Sequence, residues 1–321
     1  MIDSTPMVVI CGQVGAAMLG TDAFQEVDVV GVTQPISKWN YQIRRAEDIP
    51  WAVARAFYIA RSGRPGPVVL DFAKNAQTAM IEYAPQTVDF IRSYNPVPET
   101  QPGSIEMAAE LINQSVKPLM LVGQGVELAG ARQELLALCE KAQIPFGQTM
   151  LGLSAAPTGH PLNMGMLGMH GNLAPNVMTN QCDLLIAVGM RFDDRVTGDL
   201  HTYAKQAKVI HFEIDPSEVG KIVKPTVAVL GNCKQTLAQV TELVEPARHQ
   251  AWIDGFKPYA EKEYNKVIDA ALNPKDGPLL MGEVVRRVSE AANNEAIMVT
   301  DVGQNQLFGC RYFKYTHPRS I

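Results

Sequence analysis

Polar side chains and glycines follow several apolar, strand-like runs in the middle of this sequence. These clusters are "GQG" (123–125), "QTMLG" (148–152), "GMRFDDR" (189–195), "EIDP" (213–216) and "GNC" (231–233). Ligands of a doubly wound parallel sheet bind beyond the carboxyl ends of its strands, so these clusters would share one edge. A single Gly-x-Gly after a strand is commonly only a turn. Five clusters on one edge predict a nucleotide-like ligand, although the G-x-G-x-x-G fingerprint of NAD-binding proteins is absent.

The stretch "GMRFDDRVTG" (189–198) concentrates charge directly after an apolar run. Its two arginines and two aspartates are compatible with a surface ion-pair cluster, which would contribute little stability. Placed at a strand end, Arg191 and Arg195 would instead contact a phosphate or a ring edge bidentately, with the aspartates orienting them. Both interpretations stay open at this point.

Four further stretches offer chemistry. "MGMLGMHG" (164–171) is a glycine-rich loop with one imidazole, His170, which is either structural or close to a planar ligand that the glycines admit. Lys74 follows the buried run "PVVLDFA" and is either a surface lysine or a contact for an anionic ligand. "AIMVTDVGQNQ" (296–306) predicts a strand, a polar turn and a helix whose first backbone N–H groups suit a phosphate. "GQVGAAMLGTDAFQE" (12–26) follows the strand-like "PMVVIC" and predicts the wall of a ligand cleft.

The elements that would position these residues follow from hydrophobic patterning. In the middle of the chain, "KPLMLVG", "IPFGQTM", "DLLIAVG", "KVIHFEID" and "TVAVLG" predict buried strands, and "AGARQELLALCEKAQ" predicts an intervening helix. This alternation is typical of a six-stranded, doubly wound α/β domain. Proline-rich "YNPVPETQPGS" (94–104) and "EPARHQ" (245–250) predict the domain boundaries.

Composition narrows the class of protein. The 321 residues carry a net charge of −5, with 46% hydrophobic and 19% charged residues, which is typical of a globular protein of about two domains. No basic cluster indicates nucleic-acid binding, no apolar run has the length of a membrane span, and the start lacks a signal-peptide pattern. Five dispersed cysteines without metal-binding spacing predict reduced thiols and a cytoplasmic location.

The motifs together resemble the catalytic large subunit of acetohydroxyacid synthase, also called acetolactate synthase. The resemblance runs through the chain in order: "GTDAFQEVDVVG", "SGRPGPVVLDFAK", "LVGQG", "MGMLGMHG", "GMRFDDRVTG", "HFEIDPSEVGK" and "TDVGQNQ". The combination of the first, fourth and fifth motifs is specific to this family. A related thiamine-diphosphate decarboxylase, which would release acetaldehyde, is the nearest enzymatic alternative.

The resemblance implies an α/β fold of doubly wound parallel-sheet domains. It places the C-terminal part of a pyrimidine-binding domain at 1–93, a complete central FAD-binding domain at 94–250, and the N-terminal part of a diphosphate-binding domain at 251–321. It implies thiamine diphosphate, Mg²⁺ and FAD as cofactors and pyruvate and 2-oxobutyrate as substrates, in branched-chain amino-acid biosynthesis. It further implies a homodimer or tetramer of full-length subunits, and it leaves a regulatory small subunit open.

The resemblance also assigns site residues. Those matching the thiazolium side or the substrate channel are Gln13, Phe24, Gln25, Lys38, Lys74, Met169, Asp194 and Arg195. Those matching FAD contacts are Arg64, Gly123, Gly125, Thr149, Leu167, Gly168, His170, Gly189, Arg191, Asp193, Arg195, Glu213 and Ile214. Those matching the start of the diphosphate site are Val302, Gly303, Gln304 and Asn305. No metal ligand is assigned, because the Mg²⁺-binding segment of the family has no counterpart here.

The family's catalytic glutamate has no counterpart either. The resemblance therefore implies that the chain covers about half of a subunit, begins at an internal methionine, and makes no acetolactate when isolated. The opposing hypothesis is a non-catalytic, FAD- or nucleotide-binding module. Both hypotheses predict a flavin site in the central segment.

Overall fold

The computed structural model describes residues 1–275 and 277–321, which divide into two units, Met1–Val97 and Pro98–Ile321. The break between the units lies inside the proline-rich stretch 94–104. Both sheets contain only parallel strands, which confirms the predicted α/β class. The division into three domains stays a prediction. No helix of the described residues is long and apolar enough to cross a membrane.

The first unit is built on a three-stranded sheet in the order β1-β3-β2. Its strands are β1 (Met7–Gln13), β2 (Trp39–Ile43) and β3 (Pro67–Ala73), and its helices are α1 (Val29–Thr33), α2 (Ile49–Arg61) and α3 (Lys74–Thr78). Central β3 is almost entirely buried, as expected for a β-branched run between two neighbours. The alanines of α2 face the sheet, where Ala52 and Ala56 pack in one cluster with Val68 and Leu70.

The second unit contains the predicted six-stranded sheet, in the order β6-β5-β4-β7-β8-β9. Its strands are β4 (Pro118–Val122), β5 (Phe146–Gln148), β6 (Asn163–Met166), β7 (Leu184–Val188), β8 (Lys208–Glu213) and β9 (Val227–Leu230). Its interleaved helices are α4 (Ser104–Gln114), α5 (Gln124–Ala129), α6 (Arg132–Ala142), α7 (Leu173–Thr179), α8 (Asp194–Thr197) and α9 (Cys233–Leu243). The sixth strand, β6, was not among the runs that hydrophobicity indicated, because it is short and carries a glycine.

Alternation along β4 divides the core of this unit between the two faces of the sheet. Met120 and Val122 pack with α4, α6 and α9 on one face. Leu119 and Leu121 pack with α7 on the other face, together with Trp252 and other apolar side chains. Successive strand side chains point to opposite faces, so a strand buried on both sides needs the continuous apolar run seen in the sequence.

The remaining residues of the second unit are mainly helical. They form α10 (Gln250–Asp254), α11 (Lys257–Glu263), a π-helical turn (Tyr264–Ile268), α12 (Asp269–Leu272), α13 (Met281–Ala291) and α14 (Gln304–Tyr312). The helix predicted after the 302–305 turn is confirmed as α14. The strand predicted at 296–300 is wrong: these residues form no ladder with any described strand, although the amide of Met298 donates to the carbonyl of Ser320 at 2.8 Å.

Candidate functional site

The strand order of the second unit creates a switch point between β4 and β7. From β4 the chain proceeds to β5 on one side, and the later strands β7, β8 and β9 extend on the other side. Two turns flank the switch point, the β4–α5 turn at 123–125 and the segment after β7 at 189–195. Crevices at such points are where open α/β sheets bind their ligands.

Glycines allow these two turns to approach each other closely. The amide of Gly123 donates to the carbonyl of Val188 at 2.9 Å, and the amide of Gly125 donates to the carbonyl of Gly189 at 2.9 Å. A Cβ on Gly123 would lie 2.2 Å from the Gly189 oxygen, and one on Gly125 would lie 2.6 Å from the Gly189 Cα. Gly189 itself has a φ of +58°. Side chains at these positions would collide with the backbone of the facing turn, so glycines are needed for the two turns to pack this closely.

The segment after β7 is shaped by Asp193. One oxygen of its carboxylate accepts from the Arg191 guanidinium at 2.7 Å, and the other accepts from the Arg195 amide at 2.9 Å, which caps α8. Arg191 is thus oriented by an aspartate, as the sequence predicted for this cluster. The Arg195–Asp194 pair is 3.4 Å long and exposed, which makes it the weaker type of surface ion pair.

The glycine-rich loop after β6 is hydrogen-bonded to the segment after β7 (189–195). The amide of Met169 donates to the carbonyl of Arg195 at 2.7 Å, and a Cβ on Gly168 would lie 2.7 Å from the same oxygen. The amide of Leu167 donates to Gln148 at 2.8 Å, which ties the loop to β5. The Met169 side chain is 61% exposed, and His170 is also exposed. The loop therefore presents backbone and two side chains at the same sheet edge as the Arg191 segment.

Two neighbouring turns complete this edge. The amide of Thr149, after β5, donates to the carbonyl of Val122 at 2.9 Å, which places it beside the β4 turn. Glu213 ends β8 with its side chain buried, and one carboxylate oxygen accepts from the amides of Ile214 and Asp215 at 2.8 and 3.0 Å. The carboxylate thereby fixes the turn that follows the strand.

His211 contacts the segment after β7 and was not among the site residues predicted from the sequence. It is fully buried, its Nε2 lies 2.8 Å from the carbonyl oxygen of Met190, and its ring packs edge-on against Phe192. Phe192 adopts a left-handed φ of +54°, an uncommon conformation for a bulky residue. His211 Nδ1 has no hydrogen-bond partner among the described residues. A polar residue inside the apolar run "KVIHFEID" was the signal that could have identified it.

In the first unit, Gln13 is the last residue of β1 and belongs to the stretch 12–26, the predicted wall of a ligand cleft. Its amide nitrogen donates to Val27 at 2.7 Å and lies 3.3 Å from a carboxylate oxygen of buried Asp71, and its amide oxygen accepts from Val14 at 2.9 Å. Asp71 also accepts from Gln42 at 2.9 Å. This buried carboxylate, which sequence reasoning missed, orients the Gln13 side chain.

The loop at 20–26 is closed by Glu26, whose carboxylate accepts from the amides of Gly20 and Ala23. The Gly20 amide is the main reason that the pKa of Glu26 is lowered. Phe24 is 88% exposed at the tip of the loop, and Gln25 has a left-handed φ of +66°. Both side chains are held away from the core of the unit by this closed loop.

The cationic residues predicted in the first unit have different surroundings. The Lys38 ammonium donates to the carbonyls of Ile59 and Ser62 at 2.6 and 2.7 Å, so it caps the end of α2. Arg64 donates to the Ser4 hydroxyl at 3.0 Å. Lys74 is exposed at the first position of α3.

The predicted diphosphate turn is a separate, open feature of the second unit. Val302, Gly303, Gln304 and Asn305 are exposed. Gly303 has a φ of +135°, which favours glycine, and directly precedes α14. The amide of Val302 donates to the Asp301 carboxylate at 2.7 Å and the amide of Gln306 donates to the Asn305 side chain at 2.9 Å. The residues of this helix N-terminus are exposed, as binding of an anionic group requires, but an anion would compete with these two side chains for the amides.

The residues fit the implied cofactors unequally. The glycine-lined crevice and the oriented Arg191 suit a dinucleotide such as FAD, and the Gly303 turn suits a diphosphate. In the part of the chain that the structure describes, no group of three or more His, Cys, Asp or Glu side chains could hold a metal ion.

Comparison with known proteins identifies a family of domains and several relatives. Residues 105–240, which include all six strands of the large sheet, match the family of thiamine pyrophosphate enzyme central domains. The acetolactate synthase large subunit of Corynebacterium glutamicum is 39% identical over 99% of this chain and 51% of its own length. The probable acetolactate synthase large subunit of Methanocaldococcus jannaschii is 39% identical, and the acetolactate synthase isozyme 1 large subunit of Escherichia coli is 40% identical, each over 99% of this chain and 55% of its own length.

The chain thus spans about half the length of the curated relatives it matches. The similarity nevertheless extends over 99% of the chain and therefore includes both units. The chain contains a thiamine pyrophosphate enzyme central domain and is homologous to the acetolactate synthase large subunits.

Proposed function

We propose that this chain carries the flavin crevice and part of the thiamine diphosphate site of an acetolactate synthase. The reaction is the decarboxylation of pyruvate and transfer of the two-carbon unit to a second 2-oxoacid, pyruvate or 2-oxobutyrate. The observation that carries the proposal is the similarity to acetolactate synthase large subunits over 99% of the chain. It is supported by the switch-point crevice, whose edge is lined by the same motifs.

In this proposal the crevice binds FAD through backbone and charge. Gly123, Gly125 and Gly189 allow the two turns of the switch point to pack closely, and Arg191, held by Asp193, supplies a positive charge to an anionic part of the ligand. The Glu213 carboxylate fixes the turn after β8 by accepting from the amides of Ile214 and Asp215. When bound, FAD would have a structural role without net redox change, as the resemblance implies.

Each unit carries residues that match the thiamine side of the family's site. When bound, thiamine diphosphate supplies the electron sink on which decarboxylation of a 2-oxoacid depends. The exposed turn before α14 is the proposed contact for the diphosphate. Gln13, held by Asp71 and Val27, keeps its side chain fixed at the end of β1, where a fixed orientation reduces the cost of positioning a substrate. No step is assigned to Mg²⁺, because the described residues provide no ligand set.

The wider assignments belong to the same proposal. We place the enzyme in branched-chain amino-acid biosynthesis in the cytoplasm, as a homodimer or tetramer, with a regulatory small subunit as a candidate partner.

The product of the whole reading frame that encodes this chain should be supplied with pyruvate, thiamine diphosphate, Mg²⁺ and FAD. Acetolactate supports the proposal. Acetaldehyde as the only product assigns a decarboxylase instead, and quenching of flavin fluorescence without either product assigns a binding module. Failure to bind FAD and to form either product refutes the proposal.

A further inference from the structure

The carboxyl end of the glycine-rich loop is held by a buried carboxylate from another part of the unit. Glu263, the last residue of α11, is 9% exposed. One of its oxygens accepts from the amide of Leu173 at 2.8 Å and lies 3.4 Å from the side-chain nitrogen of Asn172. Glu263 is therefore bound to the junction between the loop 166–172 and α7.

This carboxylate replaces a cap that α7 lacks. Asn172 occupies the N-cap position but makes no capping bond with its side chain, because its amide oxygen accepts from Met166 at 2.9 Å and closes the loop instead. The first amide of α7 would then be left without a partner. Glu263 accepts from it, and a negative charge is favourable at a helix N-terminus.

Arg311 of α14 completes the contact. Its Nη2 donates to the other oxygen of Glu263 at 2.6 Å and to the carbonyl of Gly171 at 2.9 Å. Both side chains are largely removed from solvent. Removing one partner of a buried ion pair leaves an uncompensated charge, so each member depends strongly on the other.

The opposite side of the same loop lies at the crevice. The amide of Met169 donates to the carbonyl of Arg195, in the segment that carries Arg191, and a Cβ on Gly168 would lie 2.7 Å from the same oxygen. The loop is thus fixed between the crevice segment on one side and the Glu263–Arg311 pair on the other. The π-helical turn that directly follows Glu263 is a type of irregularity frequent at functional sites.

We propose that Glu263 and Arg311 are positioning residues that hold loop 166–172 in its flavin-binding conformation, so that residues after 250 contribute to flavin affinity without contacting the flavin. This inference rests on the proposed function, since it takes FAD as the ligand of the crevice. It assigns a role to the C-terminal helices that is separate from the diphosphate turn at the start of α14.

The test measures FAD binding to the chain by flavin fluorescence quenching at 10 °C, with folding of every variant verified by circular dichroism. We expect Arg311→Met and Glu263→Gln to raise the FAD dissociation constant about 10-fold to 100-fold, the usual range of coupling between connected sites. Arg311→Lys should recover part of the affinity, because its ammonium can donate to both acceptors. The double variant should bind no more weakly than the worse single variant, because the pair acts as a unit.

Lys314→Met is the matched control. It removes an exposed ion pair with Glu290, 3.1 Å long and three residues from Arg311, that does not touch the loop. It should leave the FAD dissociation constant unchanged. Amide exchange at Leu173, measured without FAD, should accelerate in Arg311→Met and not in Lys314→Met.

The possible results separate this inference from the proposed function. If the wild-type chain binds FAD and the folded Arg311 and Glu263 variants bind it equally well, the inference is wrong and the proposed function stands. If the folded wild-type chain does not bind FAD, the flavin assignment fails and the inference fails with it. A purely structural role would lower the unfolding midpoint without changing the affinity of the folded protein. If Arg311→Met does not fold, Glu263→Gln, which preserves side-chain volume, decides.

Discussion

Gly123→Ala tests the close approach of the two turns that forms the crevice floor. The added Cβ would lie 2.2 Å from the Gly189 oxygen and 2.5 Å from the Met190 Cβ, whereas real Cβ contacts essentially never fall below 3.0 Å. The turns must therefore separate by at least 0.8 Å, the difference between these limits. Such a shift would break the 2.9 Å hydrogen bond from Gly125 to Gly189.

Two effects set the size of the destabilisation: the steric overlap and the broken hydrogen bond. Overpacking against backbone costs about 1–3 kcal/mol, and the lost hydrogen bond costs about 1 kcal/mol. The free energy of unfolding of the second unit should fall by about 2–4 kcal/mol, which lowers its thermal midpoint by about 5–15 °C. Differential scanning calorimetry measures the midpoint, and flavin quenching should show weaker FAD binding by the folded variant.

Two other glycines of the same unit serve as matched controls. Gly159→Ala adds a methyl group to open space at a residue without a left-handed φ, so it should change stability by less than about 0.5 kcal/mol. Gly130→Ala also enters open space, but its φ of +61° should cost about 1–2 kcal/mol. A Gly123→Ala protein as stable as Gly159→Ala would refute the crevice geometry.

Three further predictions concern buried groups and activity. His211→Phe should destabilise the second unit by about 1–3 kcal/mol in urea denaturation, because the Met190 carbonyl loses its partner; an unchanged midpoint would contradict this role. Burial opposes ionisation of Asp183, but hydrogen bonds from Ser115, Val116 and Lys117 prevail and lower its pKa below 3.8. Because the pKa of Asp183 is lower in the folded state, its carboxylate stabilises the protein at neutral pH, and this stabilisation is lost as the pH falls through that pKa. The stability difference between wild type and Asp183→Asn should therefore shrink between pH 6 and pH 3. A constant difference would refute this. The isolated chain of 321 residues should form no acetolactate from pyruvate, thiamine diphosphate, Mg²⁺ and FAD, and a rate dependent on thiamine diphosphate would overturn that expectation.

Hydrophobic patterning was sufficient for most of the large sheet. The runs that predicted β4, β7 and β9 are apolar on both faces, and such runs have few alternatives to a buried parallel strand. The pattern failed at β6, where Gly165 interrupts the run, and at 296–300, where an apolar run has no described strand beside it. A strand is defined by its neighbour, and the neighbour is not encoded locally.

The candidate site was likewise predicted only in part from the sequence. Glycines and charged residues after strands identified the crevice edge, because strand order brings the carboxyl ends of parallel strands together. Lys38 shows the limit of this reasoning: a lysine that matches a channel residue of the family donates to two carbonyls at the end of α2.

The sequence by itself determined the α/β class, the order of the strands along the chain and the motifs that end them, since these depend on local periodicity and on residue type. Only the tertiary structure decided that His211, Asp71, Glu263 and Arg311 support those motifs. Their partners lie 21 to 140 residues away along the chain, and a contact over that separation arises from packing, which no local pattern records.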